Sequence, residues 1–407
     1  MELPYFITWS KQKAPTTLEL SKNSPHAFHI VEGSTYRPHL KKIVDLSSMS
    51  YQASFGLRNK MITEAIKKQM SLFSIALPKH TFDLKKEVSL RLIEKAKRYS
   101  PQTGKLSKDY KCFYTLSGSE GIENALKMAR QLTGKNIILA RKKSYHGATM
   151  GALSVTGDWR NDEHLLPRQW TVRIPGPEED PKGEGIERII LKHGSNKIAA
   201  FCLETITGGN GVYIPHPLYY KKIQSLANKY KIKIIMDEVV CAVYRTGPFF
   251  GIDHYPFLKP DFIVCAKAIS GGFFPIGCVL VCNKLSKRYD DKILSCGLTH
   301  YAHPLGLSAI KATLDLTEQR SFQKHADEIL MILTEFARDL SFRGFKVRHI
   351  GHLMAIEIQD KLTIESLIEN GIYASIIREN LILAPHLNTP IRLLKSSLKT
   401  LNKLLSK

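Results

Sequence analysis

No run of apolar residues in this 407-residue chain reaches the roughly 18 that a membrane-spanning helix needs. The N-terminus, Met1-Glu2-Leu3-Pro4-Tyr5, lacks a basic stretch followed by an apolar one, so no secretory signal is expected. Cysteine is sparse: seven residues, at 112, 202, 241, 265, 278, 282 and 296, with no CxxC pair. Several lie in apolar runs, which predicts reduced, buried thiols in a cytoplasmic protein. No His or Cys cluster has metal-ligand spacing, so no metal is expected. GxGxxG and Walker patterns are absent too, leaving dinucleotide and P-loop readings without support. Acidic residues are few: 37 Asp plus Glu against 59 Lys plus Arg, a formal charge of +22. The cations are scattered, with no recognition motif and no dense basic tail. A nucleic-acid partner is therefore not expected; the excess reads as surface and is compatible with an anionic small substrate. What is present is an ordinary globular balance, 43 % hydrophobic and 24 % charged residues.

Apolar runs alternate with helical patterns through the middle of the chain. Strands are expected at 112–114, 137–140, 198–203, 232–236, 261–265 and 277–282, with helices after 117 and over 218–230. That alternation indicates a largely parallel sheet covered on both faces, an α/β architecture. Before it, 61–98 is helical in period and 99–109 is a polar break. After it, a helix from 303 to about 320, another after 330, a strand at 353–358, a helix at 363–369 and a basic terminal helix suggest an α+β domain.

Three features could carry chemistry. Ser117-Gly118-Ser119 lies between a strand and a helix, where unpaired N–H groups and the helix dipole favour a phosphate. The alternative is a plain N-cap, with Glu120 and Glu123 near the helix start. Asp237 ends an apolar strand and so points into the usual ligand crevice of a parallel sheet. Lys267 follows another such strand and precedes Ser270-Gly271-Gly272. Burial lowers a lysine pKa and frees its amine to form a Schiff base, although one surface lysine among many is the plainer alternative. Together these suit pyridoxal 5'-phosphate (PLP), which needs a lysine, a carboxylate facing its pyridine nitrogen and an anion cradle.

These residues sit in a longer pattern: Ser117-Gly118-Ser119-Glu120, Tyr145-His146-Gly147-Ala148-Thr149, Asp237-Glu238-Val239, Arg245-Thr246-Gly247, Lys267-Ala268, Pro275-Ile276-Gly277 and Thr299 before His303-Pro304. In this the chain resembles the class III PLP-dependent aminotransferases over nearly its whole length. Its first part, from Thr8-Trp9-Ser10 to Ser47-Ser48, is similar to the ω-amino acid and taurine–pyruvate branch. The resemblance implies fold type I: a mostly parallel central sheet with helices on both faces, plus an α+β C-terminal domain. It implies an N-terminal segment (1–60) packing with the C-terminal domain, a large PLP-binding domain (61–305) and a small C-terminal domain (306–407). A chain of this length would then be one complete subunit with no additional domain.

By the same likeness, Lys267 would hold the cofactor and move the proton, Asp237 would pair with the pyridine nitrogen, and Glu204 would sit by the phenolic oxygen. Tyr145 and Val239 would face the ring's two sides. Ser117, Gly118 and Ser119 would bind the phosphate. Thr299 would reach the phosphate of the neighbouring subunit, which implies a homodimer with sites at its interface. His146 belongs to the same motif. Some relatives have a second Glu where Gly209 stands, a Gln at Val240, and an Arg in the stretch matching Ile382 to Leu387. These departures weaken an ornithine-type reading more than they weaken catalysis. Arg378 and Arg392 stand as candidates for a substrate carboxylate, with Trp9 and Tyr51 as further substrate contacts. The expected function is transfer of an amino group from an amine or amino acid to a keto acid. The alternatives are a diaminopelargonate-type aminotransferase; a PLP aminomutase, epimerase or decarboxylase; and a non-catalytic protein using its basic surface.

Overall fold

The computed structural model describes residues 6–9, 16–20, 27–32, 35–36, 42–97, 99–100, 105–106, 110–358 and 362–406. The described chain forms two compact units, Met1–Asn59 with Arg320–Lys407, and Lys60–Gln319.

The second unit is built on a seven-stranded sheet. Its spatial order is Tyr110–Thr115, Gly277–Cys282, Phe262–Cys265, Lys233–Asp237, Ile198–Glu204, Ile137–Arg141 and Thr171–Ile174. Neighbours run parallel from Phe262–Cys265 to Thr171–Ile174. Gly277–Cys282 is antiparallel to both of its neighbours. Tyr110–Thr115 is thereby restored to the common direction. All seven residues of Ile198–Glu204 are buried, as expected of a central parallel strand covered on both faces. The edge strand Thr171–Ile174 escapes a reading by apolar run because Thr171 and Arg173 interrupt it.

The helix Gly118–Thr133 covers one face. Ile122, Ala125, Leu126, Met128 and Ala129 recur at helical spacing and are all buried in the cluster with Ile138, Ala200 and Val264. Gly134, left-handed at φ 67°, ends it. The 61–98 segment is two helices, Lys60–Leu72 and Asp83–Lys95, and both pack on Pro304–Thr317 within this unit. The polar break at 99–109 falls largely outside the described residues.

The first unit has two small sheets and the helices Arg320–Phe342, Ile364–Glu369 and Ile391–Leu405. Its core joins Leu46 to Ile329, Leu333, Met354, Leu381 and Leu398. Ser48, Met49, Ser50 and Tyr51 form a left-handed turn, with φ from 47° to 71°. Four such non-glycine residues in a row are strained. Asp45 holds the turn: Oδ1 accepts from Ser47 N at 2.7 Å, and Oδ2 accepts from Met49 N at 2.7 Å and lies 3.3 Å from His386 Nε2. Among the described residues no helix is long and apolar enough to cross a membrane, and no group of three His, Cys, Asp or Glu side chains could hold a metal.

Candidate active site

The common strand direction brings the ends of Tyr110–Thr115, Ile137–Arg141, Ile198–Glu204, Lys233–Asp237 and Phe262–Cys265 to one edge of the sheet. Chain segments leaving that edge carry Ser117-Gly118-Ser119, Tyr145-His146, Glu204, Asp237-Val239 and Lys267. This is the crevice where open parallel sheets take their ligands.

Lys267 opens a 3-10 turn, Lys267–Ser270, at φ 50°. A non-glycine residue at positive φ at a strand end is held there by its surroundings: Gly272 N donates to the Lys267 carbonyl at 3.2 Å, and Ser270 Oγ to Phe274 O at 2.7 Å. Burial pulls the Lys267 ammonium pKa down, against the opposing pull of Asp237 and Glu204.

Asp237 is the buried last residue of its strand. Its Oδ1 accepts from Val239 N at 3.0 Å, and its Oδ2 lies 2.8 Å from His146 Nδ1. Burial pulls the His146 pKa down, but Cys202 and Asp237 outweigh it and raise it to about 10. The neighbouring Glu238 points elsewhere. Its carboxylate accepts from Thr205 Oγ1 at 2.5 Å, Gly251 N at 2.7 Å and Ile252 N at 2.8 Å, a buried structural group. Glu204 pairs in register with Asp237 across the two strands. Its carboxylate accepts from Tyr145 N at 3.1 Å and Gly208 N at 2.8 Å. Burial raises the Glu204 pKa; the adjacent Asp237 adds to this, and His146 and Arg141 oppose it.

At the helix start, Ser117 does cap: its Oγ accepts from Glu120 N at 3.1 Å, while Glu120 Oε2 accepts from Leu116 N at 2.7 Å. Glu123 does something the sequence did not suggest. Its Oε2 accepts from Thr149 Oγ1 at 2.6 Å, Gly151 N at 2.8 Å and Ala152 N at 3.1 Å. Ser119 Oγ accepts from Ala148 N at 3.2 Å. The helix start and the loop bearing Tyr145 and His146 are thus tied together.

Two glycines let these segments pack closely. A Cβ at Gly118 would meet Val239 Cγ2 at 2.8 Å. A Cβ at Gly147 would meet Ser119 Oγ at 2.4 Å and Ser119 Cα at 2.8 Å, and Gly147 has φ 134°. Gly147→Ala is expected to destabilise the unit by about 2–4 kcal/mol through strain and overlap. Chemical denaturation followed by circular dichroism checks this.

The remaining candidates come from other stretches of the sequence. Thr299 is exposed, in the turn before Pro304–Thr317. It is not that helix's N-cap; His303 is. Four belong to the first unit: Arg378, exposed at φ 54° between Ser375–Ile377 and Asn380–Leu383; Arg392, exposed in the first turn of Ile391–Leu405; Trp9, 53 % exposed; and Tyr51, buried in the left-handed turn. Sequence reasoning passed over Asp158, Arg160 and Asn210. Asp158 and Arg160 fall in an acidic–aromatic–basic run, Asp158-Trp159-Arg160, soon after the Tyr145 motif, and nothing in the sequence singles out Asn210.

The site accords with what this chain is similar to. The Aminotransferase class-III family pattern matches residues 32–405. Gamma aminobutyrate transaminase 2 of Solanum lycopersicum is 28 % identical over 369 residues, covering 82 % of this chain and 75 % of the relative. Vanillin aminotransferase of Capsicum chinense is 29 % identical over 361 residues, covering 81 % and 74 %. The taurine:2-oxoglutarate aminotransferase of Bifidobacterium kashiwanohense, solved in complex with PLP and glutamate, superposes with a TM-score of 0.86 at 26 % identity, over 98 % of this chain and 95 % of that one. A match spanning nearly the whole chain, on a doubly covered sheet with its lysine and carboxylate at one edge, makes this protein a member of the class-III aminotransferases.

Proposed function

We propose that this class-III aminotransferase transfers an amino group from an amine or amino acid donor to a keto acid through PLP held at the sheet edge described above. The observation that carries the reading is the convergence of one amine, Lys267, one buried carboxylate, Asp237, and one helix start, Ser117–Ser119, on a single edge. The cofactor fits this donor set. Gly118 and Gly147 let the helix start approach Val239 and the Tyr145 loop approach Ser119 more closely than a Cβ would allow, and the start of a 16-residue helix offers N–H groups to a phosphate.

When bound, PLP supplies an aldehyde that takes up the amine and a ring that draws electrons from the donor carbon. The chain's own residues do the rest. Lys267, its pKa lowered by burial, would hold the aldehyde and, as a neutral amine, would move a proton at the donor carbon. Asp237 would hold a proton on the pyridine nitrogen, with His146 Nδ1 2.8 Å from its Oδ2 fixing the carboxylate in place. Tyr145 and Val239 would flank the ring, Glu204 would serve its phenolic-oxygen side, and Ser117, Gly118 and Ser119 would hold the phosphate. Thr299 serves the neighbouring subunit of a homodimer. Arg378, Arg392, Trp9 and Tyr51 are further substrate contacts. The division at residues 60 and 305 into N-terminal, large and small domains, and a cytoplasmic location, belong to the same reading. Seven unpaired cysteines support the location.

A donor panel tests it. Taurine, β-alanine, diamines and α-amino acids are each mixed with the loaded enzyme, against pyruvate and 2-oxoglutarate. At least one donor is expected to shift the cofactor's absorbance in a half-reaction that a keto acid reverses. No shift with any donor overturns the reading.

A further inference from the structure

The other edge of the large sheet, where the parallel strands Ile137–Arg141, Ile198–Glu204 and Lys233–Asp237 begin, carries a hollow of about 510 Å³. Lys135, Lys229, Lys231, Lys233 and Arg288 line it, and no carboxylate does. Strands of five to seven residues, rising about 3.3 Å per residue, separate this edge from the one bearing Asp237 and Lys267. The hollow is therefore distinct from the candidate active site.

Its five charges are only partly answered. Lys229 Nζ lies 2.8 Å from Glu187, a carboxylate that Lys222 shares, and Lys233 Nζ lies 3.5 Å from Asp261. Lys135 donates to Ser195 O at 3.1 Å and Arg288 to Leu132 O at 2.9 Å, both neutral partners. Among the described residues no carboxylate pairs with Lys135, Lys231 or Arg288. Burial lowers the Lys135 ammonium pKa, and repulsion from Lys233 and Lys231 lowers it further. The helices Gly118–Thr133 and Pro217–Tyr230 end at this edge. Complementing two negative helix ends takes about one positive charge, so helix ends do not account for the cluster. The first helix ends on Gly134 at φ 67°, but the second ends on Lys231 at φ 53°, a left-handed position that glycine fills without strain. A cation is kept there at the expense of local backbone preference.

We propose that this hollow binds a small polyanion, a di- or triphosphate group, through Lys135, Lys231 and Arg288. Linked phosphates bring several negative charges into a space of this size, and ammonium and guanidinium groups are their natural partners. The site stands independently of the aminotransferase reading.

The test is calorimetric titration of the PLP-loaded, desalted protein with inorganic pyrophosphate, tripolyphosphate and ADP at ~150 mM salt, where distant surface charges are screened. Lys231→Gly removes one cation and relaxes the left-handed residue, so it is expected to stay folded. Tripolyphosphate affinity is expected to fall about threefold or more in Lys231→Gly and about tenfold or more in Lys231→Gly with Lys135→Gln. It should stay within about twofold in Lys399→Gln, which removes the same charge from the exposed side of Ile391–Leu405. ADP binding at least as tightly as pyrophosphate marks a nucleotide as the source of the group, and weaker ADP binding marks a free polyphosphate. If wild type binds neither inorganic polyanion below ~1 mM, or the double variant binds as wild type does, the proposal is overturned. A DNA duplex that displaces tripolyphosphate from wild type but not from the double variant also overturns it, by making the cluster a nucleic-acid surface.

Discussion

Lys267→Ala is expected to lose amino-group transfer by at least ~10³-fold, the scale of a missing general base, while folding normally. Its covalent link to the cofactor should vanish as well. Borohydride should then fix no label to the protein, whereas wild type should be labelled and absorb in the violet. The fold is expected to survive because the carbonyls and glycines around the turn set its backbone, not the amine. Alanine at φ 50° is no more strained than lysine there. The variant also removes a buried ammonium whose desolvation opposes folding, so its unfolding midpoint should stay or rise. A Lys267→Ala protein that folds, yet keeps wild-type turnover or label, would falsify the assignment.

Asp237→Asn is expected to lower kcat by about 10²–10³-fold, the range seen when one preorganised charge is removed. The substitution is nearly isosteric, and an amide oxygen can still accept from Val239 N. What disappears is the negative charge beside His146. The raised His146 pKa should fall with it, because Asp237 is one of the groups that lift it. An NMR titration of His146 reads that fall separately from activity. A variant that keeps both wild-type kcat and the high His146 pKa would show that the carboxylate does neither job.

Much of the central fold was legible because its signals are local. Apolar runs such as Ile198–Leu203 can only be strands buried on both faces, and a helix-period stripe after Ser117 has only one face to bury. Lys267 and Asp237 could be found because each ends such a run. The edge strand Thr171–Ile174 was not legible, since its polar positions break the run. The role of Glu123 was hidden as well. A glutamate in a first turn looks like a cap, and only tertiary folding turns it toward Thr149, Gly151 and Ala152. The Asp158–Arg160 pair was hidden for a similar reason, because Tyr145, beside Arg160, and Asn210, which donates to Asp158, come from two other segments.

The Glu123 tie sets a length. It joins the helix start proposed to hold the phosphate to the loop whose Tyr145 is proposed to face the ring, and Ser119 adds a second stitch. The two ends of the cofactor pocket therefore form a caliper with a fixed opening rather than two independent grips. On the proposed roles, a vitamer that lacks the phosphate would meet one jaw only, so the phosphorylated form would be selected by span as well as by charge.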